Sequence, residues 1–213
     1  MSRSPRAMLV GQFGNPHGLL GRLARLILRF RPSNRERNLR AVALLDLRPE
    51  DNVLEVGFGA GLAIERALEL TTKGKVVGLD HSALMVEEAR RRNAKALAAG
   101  RAELLLGGVE RVSDLSIRFD KVFTVNVFMF WPEPVAELRA LRGVMKPGGT
   151  IAMVLQPRNK SATNADAQAA GERIADALRS AGFEEIRLET IEMAPVNTAC
   201  AIGKAAATDL PSG

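Results

Sequence analysis

From Asn52 onward the chain alternates short apolar runs with segments of helical period, and few architectures accommodate that order. Asn52–Gly57 (NVLEVG) is rich in Val and Leu and ends in glycine, and Leu62–Leu70 follows with helical spacing. Lys75–Asp80 (KVVGLD) is a second run of the buried type. Ser82–Ala99 is again helical, with Leu84, Met85, Ala89 and the basic run Arg90–Arg92. Ala102–Leu106, Phe119–Val125 and Thr150–Leu155 supply three more strands, with a helix over Glu133–Met145 before the last. Near-continuous apolar runs mark strands covered on both faces, and strands alternating with helices predict a mainly parallel sheet between two helical layers.

The rhythm changes after a helix over Asp166–Ala181. Phe183–Met193 and Val196–Gly203 are strand-like runs joined by a short Pro-containing link. That link is too short to hold a crossover helix, so the two strands are expected to pair antiparallel. The expected fold is therefore α/β and Rossmann-like: seven strands, five parallel plus a C-terminal antiparallel hairpin, with helices on both faces.

The net charge of +6 is unevenly spread. Through Arg48 there are ten arginines against two acids, Glu36 and Asp46, and the remainder is slightly acidic. A nucleic-acid binder is expected to spread Lys and Arg over its working face, so no nucleic-acid partner is expected. The division read from this pattern is a basic helical cap or lid over 1–48, an α/β domain over 49–204 and a frayed tail over 205–213. No run of about 18 apolar residues exists to span a bilayer. Cys200 is the only cysteine, and His17 and His81 are the only histidines. That excludes an internal disulfide and a three-histidine metal site, so no metal is expected; it fits a reducing, cytoplasmic setting.

The segment Glu55-Val-Gly57-Phe-Gly59-Ala-Gly61 lies between the first strand and the first following helix. Glycines there permit positive φ and let a ligand approach the backbone, and the helix start directs free N–H groups at the same point. Asp80 ends the second strand, where a carboxylate can accept hydrogen bonds from ribose hydroxyls. A nicotinamide dinucleotide favours G-x-G-x-x-G/A, whereas here the spacing is G-x-G-x-G with Leu62 at the last position. Glu55 is poorly placed beside a pyrophosphate and suits a ligand with a cationic end.

These residues resemble the class I S-adenosylmethionine-dependent methyltransferase family. The resemblance spans roughly Asn52 to Gly203 and rests on VLEVGFGAG, VVGLDHSALMVEEARRR, FDKVFTVNVFMFW and MKPGGTIAMV. It implies a seven-stranded fold, S-adenosylmethionine as cofactor, and a donor site at the carboxyl ends of strands one, two and four. By position it implies that Glu55, Gly57, Gly59 and Gly61 hold the methionine moiety, with the bulky Phe58 narrowing the pocket. Asp80 takes the ribose hydroxyls, flanked by His81, Ser82 and Met85, and Asn126 faces the amino-acid part. Many relatives carry an Asp after strand three; here Gly107-Gly108-Val109-Glu110 stands there, and either Glu110 or the Val109 backbone serves the adenine. A nicotinamide-dependent oxidoreductase and a non-catalytic donor-binding protein are the rival readings.

Methyl transfer from a sulfonium needs alignment and desolvation more than covalent help. No tyrosine is present to act as a base, and no catalytic residue is fixed by the sequence; His17, in QFGNPHG, is the candidate if the N-terminal segment caps the pocket. Phe128-Met129-Phe130-Trp131, directly after Asn126 and Val127, reads either as core or as an apolar wall around a small, apolar acceptor. Leu19, Leu20, Leu23, Leu26, Ile27 and Phe30 share one helical face and Arg22, Arg25 and Arg29 another. Residues 19–31 thus read as a lid, as a surface helix on anionic membrane serving lipid or quinone methylation, or as a binder of an anionic acceptor. Pro32 is expected to stop that helix, and a second helix over Asn38–Leu47 to follow.

Overall fold

The computed structural model describes residues 32–159 and 161–207. The chain divides into two compact units, Met1–Glu36 and Arg37–Gly213, and the sheet belongs to the second. His17 and the segment 19–31 lie outside the described residues, as do residues 208–213 of the tail.

Seven strands form one sheet: β1 (Val53–Val56), β2 (Val76–Asp80), β3 (Ala102–Leu106), β4 (Phe119–Val125), β5 (Met145–Leu155), β6 (Phe183–Ile191) and β7 (Thr198–Ala205). Their spatial order is β3-β2-β1-β4-β5-β7-β6. The first five are parallel, and β7 runs antiparallel to both β5 and β6. The expected mixed sheet is therefore the observed one.

Six α-helices accompany the sheet among the described residues: α1 (Pro32–Ala43), α2 (Leu62–Leu70), α3 (Ala83–Arg92), α4 (Ala94–Ala98), α5 (Pro134–Gly143) and α6 (Asn164–Ser180). Two apolar cores lie on the two faces. Leu54, Val56, Leu79 and Val122 point to one, with Leu138 and Ile174 of α5 and α6. Val53, Val76 and Phe123 point to the other, with Ile64 of α2, Ala89 of α3, and Ala41 and Val42. Alternate residues of β1 thus feed opposite cores, as a strand buried on both faces must. No helix among the described residues is long and apolar enough to cross a membrane.

Four local expectations are corrected. The helix expected over Asn38–Leu47 spans Pro32–Ala43 instead, since a proline at the first helical position lacks only an N–H that would have no partner anyway. The single helix expected over Ser82–Ala99 is broken at Asn93, whose side-chain amide donates back to the Ala89 carbonyl and across to Gly61. The helix expected over Glu133–Met145 spans Pro134–Gly143, with Glu133 as its N-cap. Strand β5 starts five residues early, since Met145 pairs with Phe119 before the KPGG turn.

Candidate functional site

The order β3-β2-β1-β4-β5 places the reversal of strand order at β1, and ligands of open α/β sheets bind at the carboxyl ends there. Three loops converge on that edge: the glycine loop after β1, the β2–α3 turn and the segment after β4.

The chain leaves β1 through three left-handed glycines, Gly57 (φ 77°), Gly59 (φ 53°) and Gly61 (φ 75°). Their surroundings differ. A β-carbon on Gly57 would lie 2.2 Å from Val127 Cγ2, and one on Gly61 would lie 2.8 Å from both Ala89 Cβ and Asn93 Nδ2. Those two positions are closed by neighbours. A β-carbon on Gly59 meets nothing within 4 Å, so the middle of the loop opens onto free space.

Asp80 is buried and ties the loops together. Its Oδ2 accepts from the Gly59 N–H at 2.8 Å, its Oδ1 from the Ser82 N–H at 2.9 Å, and its backbone carbonyl from the Gly107 N–H at 3.0 Å. A carboxylate has about four acceptor positions, so two remain for a ligand. Glu55 is 1% exposed; burial first, and then the Asp80 charge, push its carboxyl well above the ordinary range, while a hydrogen bond from the Ile64 N–H pulls it down. Its Oε2 is buried without a partner. Two carboxyl groups at the ends of β1 and β2, one with an unmatched oxygen, fit a ligand that brings a cation and donors. They do not fit a pyrophosphate.

Asn126 follows β4 with φ 59°, a conformation that asparagine tolerates better than most residues. Its Oδ1 accepts from the Gln156 N–H at 2.8 Å. Since a backbone N–H needs an oxygen, that bond fixes the amide orientation and leaves Nδ2 as a buried donor without a partner. Gln156 is held in turn by Arg37, which donates to its Oε1, and donates from Nε2 to the Val196 carbonyl at 2.6 Å. Burial, and then the Arg158 charge, lower Arg37 to about 10.

Other residues singled out in the sequence fall less simply. The Phe58 ring does not narrow a pocket: it is buried in the core beside Ile64 and Leu104, filling the space left by Gly78. His81 is exposed, while Ser82 and Met85 are half-buried. Val109 turns its side chain into the core, and Glu110 folds back so that Oε1 accepts from the Gly108 N–H at 2.7 Å. The aromatic run divides. Phe128 and Trp131 pack against the core with ring centroids 6.0 Å apart, whereas Met129 and Phe130 are 45% and 65% exposed.

Two contributors are absent from the sequence reading. One is the Arg37–Gln156 pair; the other is the junction of α3 and α4, where Arg92 Nε donates to the Ala60 carbonyl at 2.9 Å and Asn93 Nδ2 to the Gly61 carbonyl at 3.3 Å. The basic run Arg90–Arg92 was the available signal for the second. Among the described residues no cluster of His, Cys, Asp and Glu forms a metal site.

The methyltransferase domain family matches residues 53–149. An uncharacterized methyltransferase of Bacillus subtilis, YdaC, is 28% identical over 175 residues, 82% of this chain and 94% of that protein. Among solved structures, a SAM-dependent methyltransferase from Aquifex aeolicus has a TM-score of 0.67 at 22% identity, covering 86% of this chain and 98% of its own. Magnesium protoporphyrin IX methyltransferase from Synechocystis PCC 6803, solved with bound SAM, has a TM-score of 0.61 at 18% identity, covering 82% and 80%. Both structures share the fold of this chain.

Proposed function

We propose an acceptor class for this chain, which belongs to the class I S-adenosylmethionine-dependent methyltransferase family and uses S-adenosylmethionine as its methyl donor. The acceptor is a small, apolar molecule that docks at the carboxyl end of β4. The observation that supports this reading is the exposed pair Met129 and Phe130, three and four residues after Asn126 and backed by the buried faces of Phe128 and Trp131. Apolar side chains grouped beside a ligand site are more costly to leave in water than scattered ones, and they favour an apolar occupant.

In this reading the donor site is built as follows. The unmatched Glu55 carboxyl receives the cationic end of the donor, and the loop Gly57–Gly61, with the Phe58 backbone, lies along its methionine moiety. Asp80 takes the ribose hydroxyls on the acceptor positions left by Gly59 and Ser82, with His81, Ser82 and Met85 alongside. Val109 and Glu110 border the adenine, and the Asn126 amide donates to the amino-acid end. Bound S-adenosylmethionine supplies a methyl group already activated on a sulfonium centre. The protein's share is therefore alignment and exclusion of water, which can contribute about 7–11 kcal/mol to such a step.

The test is release of adenosylhomocysteine from S-adenosylmethionine with a panel of acceptors: small apolar phenols, thiols and amines, against tRNA, a peptide mixture and anionic vesicles carrying quinone. Turnover is expected with the small apolar class, and Phe130→Ser should raise acceptor KM about tenfold while leaving donor affinity unchanged. Turnover confined to tRNA or peptides, or an unchanged KM in Phe130→Ser, refutes the acceptor class. Turnover confined to vesicles replaces it with the membrane-surface reading.

A further inference from the structure

The basic run Arg90–Arg92 ends α3 on a helix that faces two different elements. Arg90 donates to the Leu104 carbonyl of β3 at 2.7 Å, and Arg91 pairs with Glu87 on its own helix. Arg92 reaches across to the glycine loop instead. Its Nε donates to the Ala60 carbonyl at 2.9 Å, and its NH1 group pairs with Glu65 at 3.1 Å. Asn93, the next residue, is buried and donates to the Gly61 carbonyl at 3.3 Å.

This contact is poorly suited to stabilising helix α2. Gly61 is the N-cap of α2, and a cation beside a helix N-terminus opposes the helix dipole. Glu65 offsets that only in part. The arrangement has a different consequence. Ala60 precedes that N-cap, so its carbonyl takes no part in the helix ladder, while the Ile64 N–H, a first-turn donor with no partner in the helix, donates to the Glu55 carboxyl. Arg92 satisfies the carbonyl that this leaves over. The loop thereby keeps its Ala60 and Gly61 carbonyls turned to Arg92 and Asn93, and its open side at Gly59.

We propose that Arg92 and Asn93 are positioning residues for the methyl donor: they grip the back of the glycine loop and hold Glu55 and Gly59 in the geometry that receives the methionine moiety. The inference rests on the donor lying along this loop.

The experiment is calorimetry of the purified full chain with adenosylhomocysteine and with 5′-methylthioadenosine, which lacks the amino-acid moiety. Arg92→Gln should weaken adenosylhomocysteine about tenfold and leave 5′-methylthioadenosine within twofold, because only the first ligand uses the held part of the loop. Arg92→Lys, which keeps one donor and the charge, should restore part of the loss. Arg90→Gln removes an equivalent arginine-to-carbonyl bond, to Leu104 of β3 rather than to the loop, and should leave both affinities within twofold. Equal losses in Arg90→Gln and Arg92→Gln, equal losses for the two ligands, or no loss in Arg92→Gln, each overturn the proposal. Should Arg92→Gln fail to give a cooperative thermal transition, Arg92→Lys and Asn93→Ser carry the same comparison. Asp80→Ala keeps the two readings apart: if it leaves adenosylhomocysteine affinity unchanged, the donor does not lie at this loop.

Discussion

The Gly59 amide and the Asp80 carboxylate are joined by a hydrogen bond of 2.8 Å across 21 residues of sequence. It fastens the open centre of the glycine loop to the end of β2, so one carboxylate shapes the loop and, in the proposed site, also takes the ribose hydroxyls. Asp80→Ala removes both contributions. Charge-assisted bonds contribute about 1.5–3 kcal/mol each, so adenosylhomocysteine affinity should fall at least tenfold by calorimetry. Unchanged affinity would sink this placement of the donor.

Glu55 sets stability against binding. Its carboxyl is held above the usual value near 4.5, first by burial and then by Asp80, so folding favours the protonated form. Such a contribution is fully present below the unfolded value and is lost as pH rises through the folded one. Glu55→Gln cannot ionise. Its Tm should exceed that of the wild type by about 3 °C or more at pH 8 and match it near pH 4, while adenosylhomocysteine affinity drops. A lower Tm at pH 8 would contradict this assignment.

The glycines should separate by what surrounds them. Gly57→Ala combines a left-handed φ with a β-carbon driven into Val127, and is expected to cost about 3 kcal/mol in a denaturant titration. Gly59→Ala meets open space and should cost about 1 kcal/mol, yet it places a methyl group in the proposed donor site. A variant that folds almost normally and binds poorly is therefore expected at Gly59, and comparable stability losses at both positions would argue against it.

Cys200 sits in the centre of β7 with its thiol pushed up to about 12, chiefly by burial and further by Glu189, against a smaller opposite pull from Arg187. The thiolate is the reactive form. Ellman's reagent at pH 8 should leave the native protein unlabelled and report unfolding as one thiol per chain; rapid native labelling is the contrary result.

Much of this was legible because it is local. Strands β1 to β4 follow from their apolar runs, most clearly β1 and β2, which are buried along their whole length. The glycine loop and Asp80 announce themselves by special backbone conformation and by a carboxylate at a strand end. What escaped is held by side chains reaching between elements. Gln156 bonds Arg37 across 119 residues, and Arg92 bonds Ala60 across 32. Such contacts leave no period in the sequence, so the run Arg90–Arg92 could be seen but not apportioned. Phe58 escaped for a related reason: whether a loop ring faces ligand or core depends on Gly78, a vacancy on a neighbouring strand.

The position of β7 between β5 and β6 has a consequence for the order in which the protein is made. Every residue of the proposed donor site, from Glu55 to Asn126, emerges before the strand that seals the other half of the sheet. Until Thr198–Ala205 arrives, β5 presents an unpaired edge and β6 has no neighbour to lie on. During synthesis the nascent chain thus passes through a stage with its ligand-binding half assembled and its far half open, the interval in which misassembly through that edge is most accessible and early donor binding most protective.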